Sequence, residues 1–129
     1  MRFVVSMLLL ALVGTGCSDA IGPGSLNGKW AEDVGPESSW EVNLAVNGSS
    51  ISGAGTWYGE ACCGGDISVT GSVKGADVHL DFSSTNSVTP GSPLTSHFDG
   101  RLITPKELQG TITYDPPNQG SAQVTYTRT

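Results

Sequence analysis

Eight short stretches of this chain alternate apolar and polar residues with a period of two, and turn-forming residues separate them. That period sends successive side chains to opposite faces, so each stretch suits a strand with one face turned inward. The alternation predicts strands over 26–33, 39–47, 50–58, 66–74, 77–83, 94–103, 106–114 and 121–128. Trp40, Val42, Leu44 and Val46 share a face in the second stretch, and Val78, Leu80 and Phe82 do so in the fifth. Asn47-Gly48 and Lys74-Gly75-Ala76-Asp77 read as tight turns, and Pro105 ends the sixth strand. No stretch carries a convincing 3.6-residue period.

Short connections favour antiparallel neighbours in sequence order. The expected fold is all-β, an up-and-down antiparallel meander of about eight strands closed into a barrel, which removes sheet edges. Glycines recur within the strands at Gly53, Gly55, Gly71, Gly100 and Gly110, and interior glycine permits the bends that a barrel needs. A two-sheet β-sandwich uses the same short strands and is the alternative. A barrel of this size is either filled by side chains or holds one small ligand.

Gly28-Lys29-Trp30 on the first strand resembles the Gly-x-Trp that opens lipocalin-like and avidin-like barrels, and Ile51 to Tyr58 resembles the Gly-Thr-aromatic hairpin strand of avidins. The resemblance implies a small calycin-like barrel. It does not extend to biotin binding, because no Trp follows Trp57 and the avidin aspartate has no counterpart. The same Gly-x-Trp meander also resembles small periplasmic inhibitors of bacterial metalloproteases, which block a protease cleft with an N-terminal arm, here residues 18–25.

Ahead of the strands, Arg2 precedes an apolar run from Phe3 to Val13, then Gly14-Thr15-Gly16-Cys17. A charged start, a short apolar core and small residues form a secretion signal. The run is too short to span a bilayer, which takes about 20 apolar residues. Gly14 to Cys17 resembles a bacterial lipobox, implying signal residues 1–16, lipid on Cys17, a Gly/Ser/Pro-rich tether over 17–25 and a barrel domain over 26–129. Ordinary cleavage after Ala20 is the alternative. The expected location is the bacterial cell envelope, lipid-anchored at the outer membrane or cell surface, or else soluble in the periplasm or secreted.

Twelve acidic residues face six basic ones, and the basic ones are scattered. Nucleic acid is not an expected partner, since phosphate binding needs clustered Lys and Arg. The membrane, through Cys17, and a small apolar ligand or an envelope protein are the expected partners. Trp30, Trp40, Trp57 and Tyr126 are the candidate ligand pocket, and they serve equally as core. Cys62-Cys63, followed by Gly64-Gly65, is a candidate vicinal disulfide in an oxidising compartment. No nucleophile–base–orienter set stands out, so the chain is not expected to be an enzyme, and no cofactor is expected.

His79-Leu80-Asp81 and His97-Phe98-Asp99 place His and Asp on one face of neighbouring strands. If residue 81 lies opposite 97, His79 faces Asp99 and Asp81 faces His97. These four residues are candidate metal ligands, and they serve equally as solvated charge pairs. Arg101 on the same face would compete for the carboxylates, so no metal is expected.

Overall fold

The computed structural model describes residues 23–32, 38–59, 63–85, 94–116 and 120–129. Its strands are β1 Gly28–Glu32, β2 Ser38–Asn47, β3 Ser50–Gly59, β4 Cys63–Lys74, β5 Asp77–Ser84, β6 Leu94–Thr104, β7 Glu107–Tyr114 and β8 Gly120–Arg128. Each strand pairs antiparallel with the next, and β8 returns to β1 through Trp30↔Arg128, Ala31↔Thr127 and Glu32↔Tyr126. The sheet is therefore a closed eight-stranded up-and-down barrel, consistent with a calycin-like fold. Closure rules out the sandwich, which needs two separate sheets.

The two ends of the barrel differ. At one end, here the base, the connections are tight. Asn47 pairs with Ser50 and Lys74 with Asp77, leaving Gly48-Ser49 and Gly75-Ala76 as two-residue loops. Gly48 and Gly75 have φ of 63° and 61°, the positive value that a type II′ turn demands of its first central residue. The first turn is thus centred one residue later than Asn47-Gly48. Pro105-Lys106 makes the third base turn, beside a register shift between Leu102 and Thr104. At the opposite end, here the mouth, β1 finishes at Glu32, β3 at Gly59, β5 at Ser84 and β7 at Tyr114.

A 3₁₀ turn, Pro23–Leu26, closes the base. It occupies the end of the stretch read as tether, and β1 starts only at Gly28. Leu26 is fully buried, and its carbonyl accepts a 2.9 Å hydrogen bond from the Trp30 indole Nε1. The Arg128 guanidinium lies 5.0 Å from the centre of the Trp30 ring and donates to the carbonyls of Asn27 and Pro105. Gly28 has φ of 119°, and a Cβ there would stand 2.9 Å from Arg128 Nη1. The backbone conformation therefore requires the glycine of Gly-x-Trp, since the Arg128 tip could move aside from a Cβ.

The inward faces follow the alternation. Val42, Leu44, Ile51, Val69, Val78, Leu80, Phe98, Leu102 and Leu108 are buried along the axis. The recurrent glycines make room for them. Gly100 and Gly110 oppose each other across β6 and β7, and a Cβ on either would come within 2.8 Å of the Phe98 ring. So narrow a barrel accommodates large inward residues only beside ones without a side chain.

Candidate functional site

The mouth leads into a cavity of about 340 Å³. Its apolar wall comes from Trp40, Trp57, Ile67, Phe82, Leu94 and Ile112. Each sits at an inward position near the mouth end of its strand. Trp40 and Trp57 oppose each other across β2 and β3, and the Trp57 indole is held by a 2.9 Å hydrogen bond from Nε1 to the Thr85 carbonyl. Beneath Trp40 lies Tyr126, stacked at 4.7 Å and 24°. Phe82 meets Trp40 edge-on at 5.0 Å, and Phe98 meets Tyr126 at 5.2 Å and 62°. This aromatic column fills the interior below the cavity, so among the described residues the barrel is solid beneath it.

Serine and threonine side chains, Tyr58 and Tyr114 add polar groups to the wall, and its charged members among the described residues are Glu32 and Asp115. Burial raises the Glu32 carboxyl above the usual carboxylate range. The Tyr126 hydroxyl is buried and has no hydrogen-bond partner among the described residues. Its acidity is pushed far below that of ordinary phenol by burial, with the Glu32 charge adding to the effect.

Of the four candidate pocket residues, Trp40 and Trp57 line the cavity. Trp30 does not. It is 1% exposed and locked into the base by Leu26 and Arg128. Tyr126 is also 1% exposed and supports the cavity from below. Alternation shows that a side chain points inward, but not its depth along the axis. Cys17 and Cys62 lie outside the described residues. Cys63 begins β4 opposite Gly59. Of the arm 18–25, residues 23–25 belong to the turn at the base.

The second cluster lies on the outer wall, on β5 and β6. The register is the expected one, with His79 opposite Asp99 and Asp81 opposite His97. His79 Nδ1 is 2.7 Å from Asp99 Oδ1, and its Nε2 is 3.0 Å from Asp81 Oδ1. His97 Nδ1 is 2.5 Å from the same Asp81 oxygen, and its Nε2 is 2.8 Å from Asp115 Oδ2. Thr95 donates its hydroxyl to Asp115 at 2.5 Å. The result is one continuous line, Asp99–His79–Asp81–His97–Asp115, with the imidazole planes only 9° apart.

Hydrogen bonds to Asp99 and Asp81 respectively raise the basicity of His79 and His97. The same contacts hold Asp81 below the usual carboxylate range, and the Thr95 and His97 contacts do so for Asp115. Arg101 does not compete for these carboxylates as expected. It faces Asp77, with Nε 3.9 Å from Oδ1. Asp115 went unrecognised because it follows the last strand residue of β7. Extending the Ser96↔Tyr114 register by one residue places it beside Thr95.

Compared with known proteins, the chain matches no family model, no curated protein and no solved structure.

Proposed function

We propose that this protein is an exported, lipid-anchored barrel of the bacterial cell envelope that binds one small, mainly apolar molecule in its mouth. The cavity of about 340 Å³ with its aromatic wall carries the reading, because ligand sites are typically concave, mostly apolar and about 300–1,000 Å³ in volume. The secretion signal and Cys17 support the location, and the acidic balance argues against nucleic acid. No catalytic constellation was read in the sequence, so binding rather than turnover is the role proposed.

The rim narrows the ligand class. Its described charged groups, Glu32 and Asp115, are both acidic. A neutral or cationic polar end is favoured there over a carboxylate or phosphate. Titration of the purified chain with a long-chain alkylammonium ion and with the matching fatty acid, followed by tryptophan fluorescence, tests this. The alkylammonium ion should change the emission. Trp40→Phe and Trp57→Phe should each reduce that change, and Ile112→Trp, which fills the cavity, should abolish binding. No response to either probe, or one insensitive to Ile112→Trp, would overturn the reading.

A further inference from the structure

We infer that the outer wall of β5 and β6 carries a binding site for a divalent transition-metal ion, held by His79 Nε2, His97 Nδ1 and the Asp81 carboxylate. One ligand atom from each of these residues lies within 4.8 Å of the others, and Asp81 Oδ1 already stands 3.0 Å and 2.5 Å from the two imidazole nitrogens. Around a zinc-sized ion at about 2.0–2.1 Å, tetrahedral ligand atoms are about 3.3 Å apart. Small side-chain adjustments bridge the difference.

The hydrogen bonding suits an ion as well as it suits protonated rings, whose two N–H groups fill the same contacts, so an ion would take the place of the two inner protons. Both ring nitrogens of His79 and both of His97 face carboxylates. A neutral imidazole has one N–H, so it can donate to only one of its two carboxylates. With an ion at the centre, the inner nitrogens present lone pairs to the metal, and each ring keeps its outer N–H. His79 Nδ1 then donates to Asp99, and His97 Nε2 donates to Asp115. Each metal-binding imidazole is thus oriented by its own carboxylate, as histidine ligands to metals generally are. Replacing the inner proton of two imidazolium rings by one divalent cation also leaves the local charge unchanged.

The surroundings permit entry. The three ligand side chains are 40–44% exposed. Their neighbours on β4 and β7 are hydroxyl residues, with Thr70 opposite Asp81, Ser72 opposite His79 and Thr113 opposite His97. Imidazole with carboxylate selects zinc or copper over calcium or magnesium. Three protein ligands leave an open position for water or an external group.

Calorimetric titration of the purified full chain with zinc chloride and with copper(II) chloride tests the site. The expected result is one ion per chain, bound more tightly for copper. Affinity should fall at least tenfold in His97→Ala and by about tenfold in the Asp99→Asn/Asp115→Asn double variant. Cobalt(II) should give the visible bands of nitrogen and oxygen ligands without thiolate charge transfer. Asp81→Asn repeats the test in a variant that keeps the side-chain shape, and circular dichroism checks that each variant folds. Equal uptake by wild type and the His79→Ala/His97→Ala double variant would overturn the site. So would binding that disappears only in Cys62→Ser/Cys63→Ser.

Discussion

His97 and Asp81 face each other across β5 and β6 with Nδ1 2.5 Å from Oδ1, and the same oxygen stands 3.0 Å from His79 Nε2. One carboxylate oxygen therefore serves two imidazoles. Carboxylate contacts raise both histidines, so this part of the stability is complete below the unfolded histidine value of about 6.5. It is lost as pH rises through the higher folded values. Asp81 and Asp115 are lowered, so their part is complete above about 3.9 and is lost as pH falls through the lower folded values. In chelator-treated buffer, the melting temperature should be highest between about pH 4 and 6.5. The His79→Ala/His97→Ala variant should flatten the histidine limb of a thermal denaturation series.

Replacing Tyr126 with Phe should stabilise the protein. The buried hydroxyl lacks a partner among the described residues, and an unsatisfied buried polar group costs about 1–3 kcal/mol. The ring keeps its stacking on Trp40. A rise of roughly 4 °C or more in melting temperature is expected. A fall would mean that the hydroxyl is satisfied in solution.

Glu32→Gln should also raise stability at neutral pH. Burial makes the charged Glu32 carboxyl unfavourable in the folded state, so the wild type loses stability as pH rises above the usual carboxylate range of about 4.3. Glutamine has no such dependence. Melting curves of the two proteins should diverge from about pH 5 upward and converge in acid. The same variant should weaken alkylammonium binding, which separates the electrostatic role of Glu32 from its structural cost.

Gly55→Ala should be severe for so small a change. Its Cβ would stand 1.8 Å from the Glu41 carbonyl oxygen and 2.7 Å from the Val42 Cα, and backbone cannot rotate away. Overpacking of this kind costs about 1–3 kcal/mol. Gly24→Ala, where a Cβ meets nothing within 4 Å, is the control. Chemical denaturation midpoints should move for the first and hold for the second.

At the base, Arg128→Ala removes the guanidinium from the Trp30 face together with its bonds to the Asn27 and Pro105 carbonyls. A loss of about 1–2 kcal/mol is expected. Trp30→Ala should cost about 3–5 kcal/mol by leaving a cavity. Denaturant unfolding of both variants checks the order.

Much of the barrel was legible in the residues because every strand buries one face, so its period of two survives in the sequence. The pairing of His79 with Asp99 was legible for the same reason. Fixing one pair across β5 and β6 fixes the whole ladder. The depth of Trp30, Trp40 and Trp57 was not, since depth depends on how strands stagger around the barrel rather than on alternation within one. Asp115 and Glu32 were missed differently. Each resembles a solvated turn residue: extending the β6–β7 register one step past Tyr114 brings Asp115 to His97, and closure of the sheet brings Glu32 opposite Tyr126. The short apolar turn at Pro23–Leu26 gives no periodic signal at all.

The base has a consequence for presentation. Pro23 begins the described chain beside it, and the backbone N–H of Thr129 donates to the Lys29 carbonyl there, so both ends of the barrel domain leave from the side opposite the mouth. The proposed lipid on Cys17 would join the barrel at its base rather than at its rim. A tag or surface attached beside Pro23 or Thr129 would therefore sit away from the cavity, leaving the proposed binding end accessible to probes.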